Sequence, residues 1–255
     1  MKKILKFSLI FLFVAFLCFW GYIAVNWQTP ILMYHAIDKS KVGKYAAVSP
    51  EVFYQQMKFI HEKQYTVMSL DDYCQAIIKG TEIPRDSVVI TFDDGYKDNL
   101  EATRILKLFR FPATIFIIPE KLGKEDYLTP NDVRWFLKDT PVKIGSHTLT
   151  HAYLPAIDAT QLKEEIHASK HNLQDSFDQE IKTIAFPLGA FDKRVLEEVK
   201  NADYLCACST NRGYSNKLNR FALRRIKVTN RDLGIRLWAK LSGFYNIFKK
   251  VKDPY

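Results

Sequence analysis

Ser87-Val88-Val89-Ile90-Thr91-Phe92-Asp93-Asp94-Gly95 is the stretch from which the fold can be read. A short apolar run, Val88 to Ile90, stops on two adjacent carboxylates, and a glycine follows. This pattern predicts a buried strand with its exit turn at Gly95. Side chains alternate faces along a strand, so Asp93 and Asp94 are expected to point apart if the strand persists. Two carboxylates in that position can divide the work, one holding a cation and the other handling a proton. Taken alone, the same residues also make an ordinary polar turn.

The chain of 255 residues is 47% hydrophobic and 25% charged, with a net charge of +9. The composition is that of a globular protein, and the roughly 225 residues beyond the N-terminal segment suffice for one large domain. The charge sits at the ends: residues 1–6 carry +3, residues 217–255 carry +9, and the body between them carries −3. A nucleic-acid-binding domain would spread basic charge over a recognition face, so no nucleic-acid partner is expected. The four cysteines, Cys18, Cys74, Cys206 and Cys208, show neither metal-type spacing nor a disulfide framework. Cys206 and Cys208 are expected to lie on one face of a strand as small apolar residues.

Residues 1–6 are followed by an uncharged run, Phe7 to Val25. Its length just suffices for a bilayer-spanning helix, and the preceding lysines favour a cytoplasmic N-terminus. The expectation is a signal anchor over 7–25 and a catalytic domain outside the cell. A cleaved signal peptide is the rival reading. Residues 26–230 then form the domain, and 231–255 a basic amphipathic C-terminal helix and tail. That helix either closes the domain or rests on an anionic membrane.

The body alternates strand and helix. Strands are expected at 31–37, 65–70, 87–94, 113–118, 142–146, 183–186, 204–209 and 221–228. Helices are expected at 50–64, 71–79, 98–110, 131–138, 158–175 and 192–201. In the helix at 98–110, Leu100, Ile105, Leu108 and Phe109 are expected to face inward. Such alternation implies parallel strands wrapped by helices, with chemistry at the carboxyl ends of the strands. Four unusual clusters fall there: Tyr34-His35, Asp93-Asp94, Ser146 to His151, and Phe186 to Gly189.

His147 and His151 are four residues apart, which on a helical turn places both imidazoles on one side. With Asp94 they make two histidines and a carboxylate, leaving an open position for water. Zinc suits this set, and cobalt, nickel or iron could also use it. Water on such an ion becomes acidic, and Asp93 is placed to take its proton. His167 and His171 repeat the spacing but lie among Lys163, Glu164, Glu165 and Lys170, which reads as a solvated face.

Thr91-Phe92-Asp93-Asp94-Gly95 resembles the first motif of the polysaccharide deacetylases, the NodB-homology family of carbohydrate esterases. Ser146 to His151 is similar to its second, His-Ser/Thr-x-x-His motif, and Ala185-Phe186-Pro187-Leu188-Gly189 to its third. The resemblance implies a distorted (β/α) barrel and a divalent metal, usually zinc. It also implies hydrolysis of an acetyl group on a sugar. It makes Asp93 the general base, Asp94, His147 and His151 the metal ligands, Pro187 a groove wall, and the Leu188 N–H a donor to the oxyanion. Two positions depart from the pattern. Ala185 stands where the third motif normally has the Arg that pairs with the base, and the late Leu-x-x-His segment is missing. Pro30-Ile31-Leu32-Met33-Tyr34-His35 instead opens the domain, as in the branch that deacetylates poly-N-acetylglucosamine. His35 is then the candidate general acid, with Tyr34 beside the substrate. Arg225, in a segment similar to one common in that branch, is the candidate partner of Asp93.

These features predict a monomeric, metal-dependent N-deacetylase at the cell membrane, acting on N-acetylglucosamine in an exopolysaccharide, peptidoglycan or a wall-polysaccharide linkage unit. Alternatives are an O-acetyl (xylan-type) esterase and a non-catalytic glycan-binding relative.

Overall fold

Residue parity along the strands sorts the side chains into two layers. Odd positions of the first strand point one way and even positions the other. The computed structural model describes residues 2–25, 27–43, 46–212, 218–243 and 245, without the side chains at 2–6, 23 and 24. In chain order the strands are β1 (Ile31–Tyr34), β2 (Thr66–Met68), β3 (Ser87–Phe92), β4 (Ala113–Ile117), β5 (Val142–Ser146), β6 (Thr183–Ala185), β7 (Cys206–Cys208) and β8 (Ile226–Lys227). The α-helices are α1 (Lys2–Val25), α2 (Pro50–Glu62), α3 (Leu70–Lys79), α4 (Asn99–Phe109), α5 (Pro130–Asp139), α6 (Ala159–Lys163), α7 (Ser169–Phe177), α8 (Lys193–Asn201) and α9 (Ile235–Leu241).

The named strands pair in parallel in the order β7-β6-β5-β4-β3-β1-β8, with β2 beside the first half of β3. The sheet curls into a half-barrel. The expected strand at 221–228 is regular only over β8. Upstream, Leu223 bridges to Cys208, and Arg225 N–H donates to Asn211 O. Residues 223–227 therefore pass from the β7 edge to β1 and close the curl.

Leu32, Tyr34, Ile90, Phe92, Ile115 and Ile184 lie in the core between sheet and helices. Ile31, Val89, Phe116, Ala185, Cys206, Cys208 and Leu223 form a second cluster on the inner face, against Leu70, Tyr73 and Cys74 of α3. A Cβ on Gly145 would stand 2.7 Å from the Phe116 ring and 2.9 Å from Thr183 Oγ1. Only glycine lets β5 pass beneath that ring.

Local chemistry places the helices. Ser49 caps α2, accepting from Val52 N–H, and Pro50 occupies its first turn. Gly80 closes α3 in the left-handed region at φ 64°. Leu108 of α4 is 72% exposed, correcting its inward assignment. At 100° per residue it is turned well away from Ala102 and Leu106, which face the core. A further correction concerns the cysteines. Cys206 does lie on the inner face with Cys208, but it forms a disulfide with Cys74, joining β7 to α3 across 132 residues of sequence. That separation carries no spacing motif, so only the closed fold brings the two together.

The described side chains of α1 from Phe7 to Tyr22 are exposed. Among the described residues no helix is long and apolar enough to cross a membrane. Leu237 and Leu241 of α9 are buried against the domain. Lys240, expected on the basic face, is itself buried and pairs with Asp232 at 2.7 Å. Phe244 and the segment 246–255, with Phe248, Lys249, Lys250 and Lys252, lie outside the described residues.

Candidate metal centre and active site

The inner-face parity that carries Ile31, Val89, Phe116 and Leu223 continues upward to the site. Four residues beyond Ile31 and Val89 come His35 and Asp93, two beyond Leu223 comes Arg225, and two beyond Gly145, the β5 partner of Phe116, comes His147, all at the carboxyl end of the sheet. The β1–β3 register pairs Tyr34 with Phe92 and so sets His35 beside Asp93.

Asp94 leaves this pattern. β3 ends at Phe92, and Asp94 and Gly95 both take positive φ, 72° and 68°. The divergence of the two carboxylates expected from strand pleating is instead produced by this turn. It aims Asp94 Oδ1 at His147 Nε2 and His151 Nε2, 3.4 Å from each. The histidines do not lie on a helical turn as the spacing suggested. Ser146 to His151 is an irregular loop with positive φ at Thr148 (62°) and His151 (73°). Thr148 N–H donates to Ser146 Oγ, and His151 N–H to Thr148 Oγ1.

One donor atom from each of Asp94, His147 and His151 lies within 4.8 Å of the others. A tetrahedral ion with bonds of about 2.0–2.1 Å needs donors roughly 3.3–3.4 Å apart, so the 3.4 Å from Asp94 to each histidine fits such an ion. Two imidazoles and one carboxylate also suit iron, cobalt or nickel. The Nδ1 of His147 lies 2.7 Å from Ala185 O, which orients the ring and leaves Nε2 facing Asp94. Burial alone pushes the Asp94 carboxyl up, but hydrogen bonds from His147 and His151 outweigh it and bring the group well below the usual carboxylate range. Burial lowers His147, and Asp94, Asp93 and the Ala185 carbonyl together more than restore it, so its net displacement is upward. Burial and the neighbouring Asp94 carboxylate push the Tyr96 hydroxyl up, a neighbour that sequence reasoning did not anticipate.

Asp93 is 2% exposed and Arg225 1%. Arg225 Nη1 and Nη2 donate to Asp93 Oδ1 and Oδ2 at 2.6 and 2.7 Å, while Nη1 also reaches Thr91 Oγ1 and Nε donates to Ser209 O. The guanidinium lies 5.5 Å from the Phe116 ring centroid. Ala185 belongs to the same inner cluster as Phe116. The arginine thus enters from the closing segment rather than from β6. Burial pushes the Asp93 carboxyl up; the charges of Arg225, His147 and His35 then outweigh it, and the group stays ionised.

Burial also lowers His35, and the charges of Asp93 and Asp94 only partly compensate. Its Nδ1 has no hydrogen-bond partner among the described residues, and its backbone carbonyl accepts from Asn99 Nδ2. Pro187 is buried. Leu188 is 71% exposed with φ 57°, held by a hydrogen bond from Thr210 Oγ1 to its carbonyl.

Tyr34 requires a correction. Its even parity turns it away from the site into the helical layer, where it is wholly buried between Phe53 and Phe92 and donates to Gln56 Oε1. The second histidine pair forms no such centre: His167 Nε2 lies 2.7 Å from Glu198 Oε1. Glu165, taken for part of a solvated face, is 7% exposed and holds Thr150 beside His151.

The family profile described as Polysaccharide deacetylase matches residues 80–207, just over half the chain. The protein YxkH of Bacillus subtilis is 29% identical over 204 residues, 79% of this chain and 72% of that one. The poly-beta-1,6-N-acetyl-D-glucosamine N-deacetylase of Staphylococcus aureus is 29% identical over 65% of this chain, and the match spans 61% of its length. Among solved structures, the Streptococcus pyogenes deacetylase PplD in complex with acetate superposes with a TM-score of 0.78 at 25% identity, covering 84% of this chain and 97% of that one. The chain belongs to the polysaccharide deacetylase family, NodB-homology hydrolases that act on carbon–nitrogen bonds other than peptide bonds.

Proposed function

We propose that this protein is a metal-dependent N-deacetylase that removes acetyl groups from N-acetylglucosamine in a bacterial cell-envelope polysaccharide. The observation that carries the reading is the pairing of two differently held carboxylates. Asp94 faces two imidazoles at ion-binding distances, while Asp93 is clamped and kept ionised by Arg225. A divalent ion at Asp94, His147 and His151 would supply a Lewis acid that acidifies water and polarises an acyl oxygen. Asp93 accepts the proton of the attacking water. The Leu188 N–H, presented by its positive-φ turn, donates to the acyl oxygen as charge builds there, and Pro187 forms the adjacent wall. His35 rests neutral at pH 7 because burial lowers its pKa. The proton it gives the departing amine therefore arrives during the cycle, by way of the neighbouring Asp93.

The S. aureus relative favours a β-1,6-linked N-acetylglucosamine polymer as substrate. We place the domain outside the cell, held at the membrane by the apolar segment 7–25, of which the continuously described side chains, Phe7 to Tyr22, are fewer than a full span needs. The exposed apolar side chains of α1 support the tether, and a Cys74–Cys206 disulfide suits an oxidising compartment.

Acetate release from β-1,6-linked N-acetylglucosamine oligomers, chitooligosaccharides and acetylated xylan, each with zinc or cobalt, tests substrate and chemistry together. Release from xylan alone would favour the O-acetyl esterase. Asp93→Asn should lose deacetylation while retaining bound metal. Turnover by the metal-loaded variant would remove Asp93 as the base.

A further inference from the structure

We propose that Glu165 is a positioning residue for the metal centre, acting through His151. The inference rests on the metal-site reading above. The helical stretch 159–177 is interrupted by a π-helical segment, Glu164–Ala168, between α6 and α7. Such segments re-route main-chain carbonyls and often occur at functional sites.

Here the interruption faces the ligand loop and grips it. The main-chain carbonyl of Glu165 accepts from Leu149 N–H at 3.1 Å. One carboxylate oxygen accepts from Thr150 N–H at 3.0 Å, and the other accepts from Thr150 Oγ1. All three contacts fall between Thr148 and His151, the two loop residues with positive φ. A second fastening, Ser146 Oγ to Ser169 Oγ at 2.7 Å, secures the start of the loop, and Ser169 in turn donates to Ile166 O.

The two ligands are held unequally. His147 is buried directly after the last residue of β5, its N–H donating to Ile117 O and its ring tied to Ala185 O. His151 is partly exposed and sits on irregular backbone whose φ of 73° costs conformational energy. Something outside the loop has to hold that conformation. The buried carboxylate of Glu165 is the group that does so, by satisfying the Thr150 amide. Its charge strengthens both Thr150 bonds. Supports that hydrogen-bond a ligand itself typically set metal affinity by about 10–100-fold, and Glu165, acting through the residue next to His151, is expected at the lower end of that range.

The test titrates the metal-free full chain with Co2+ and follows the visible spectrum of the bound ion. Glu165→Ala should bind Co2+ at least tenfold more weakly, with an altered spectrum. Glu165→Gln, which keeps an acceptor for the Thr150 amide, should recover most of the affinity. In a His151→Ala background, Glu165→Ala should have no further effect. Wild-type affinity and spectrum in a folded Glu165→Ala variant would overturn the proposal. So would an undiminished effect of Glu165→Ala in the His151→Ala background. Should Glu165→Ala not fold, Glu165→Asp, whose shorter side chain withdraws the carboxylate from the Thr150 amide, reads the same contact: several-fold weaker binding is expected, and unchanged binding overturns the proposal. Failure of the unaltered protein to bind Co2+ would instead remove the metal-site reading itself.

Discussion

Arg225 and Asp93 meet edge to edge, with two parallel hydrogen bonds of 2.6 and 2.7 Å between side chains that are both buried. Removing one partner leaves an unpaired buried charge, which costs about 3–5 kcal/mol. Arg225→Met should therefore lower Tm by on the order of 10 °C in a domain of this size. Arg225→Lys keeps the charge but cannot form the two-pronged contact, so it should restore stability only in part. The pH dependence follows from the sign of the Asp93 shift. Its folded pKa is lowered, so the stabilisation is complete above the unfolded value of about 3.9 and is lost as pH falls through the folded value. Without Arg225 the largest opposing influence is gone and burial pushes the carboxyl up. The acid limb of kcat/KM should then move to higher pH in Arg225→Met. A limb that stays in place, measured on metal-loaded enzyme, would show that Arg225 does not set the ionisation of Asp93.

Tyr34 and His35 are neighbours in sequence with opposite fates, and a pair of variants separates them. Tyr34→Phe removes one hydroxyl, which donates to Gln56 at 3.1 Å inside the helical layer. The expected cost is about 0.5–1.5 kcal/mol of stability, with kcat and KM for an N-acetylated oligosaccharide substrate unchanged within twofold. His35→Ala should retain stability and lose turnover. A large rise in KM for Tyr34→Phe would return Tyr34 to the substrate.

Strand parity explains what could be read from the chain alone. The apolar run ending in Asp93-Asp94, the His147/His151 spacing and the strand–helix alternation are local patterns, and each lies at a strand end that the fold brings to one mouth. Arg225 is singled out by the resemblance of its segment to one common in the family branch, and Ala185, which leaves Asp93 without its usual partner, gives it a role. Tyr34 was misplaced because a motif adjoining His35 does not state which face each residue takes. The π segment at 164–168 was hidden because Glu165 sits among charged neighbours, so composition suggested solvent. The loop at 146–151 was read as a helical turn because i, i+4 spacing cannot distinguish a helix from two left-handed kinks.

The Cys74–Cys206 disulfide joins α3, which covers the inner face of the sheet, to β7 at the end of the strand order. Residue Cys208, two positions along the same strand, is a buried free thiol whose pKa burial pushes up to about 12. A thiol kept protonated is a poor attacker of a disulfide, so the Cys74–Cys206 link is protected from internal exchange. Closing a loop across 132 residues should stabilise the fold by about 2–5 kcal/mol. The double variant Cys74→Ala/Cys206→Ala should therefore unfold at lower denaturant concentration, and dithiothreitol should shift the wild-type midpoint toward that of the variant without moving the variant's own. Deacetylation at 25 °C should persist in the double variant, because neither sulfur touches Asp93, Asp94, His147 or His151. An unchanged midpoint on reduction, with thiol titration proving that the bond had been present and was broken, would show that the covalent link adds nothing to the packing of α3 on the inner face.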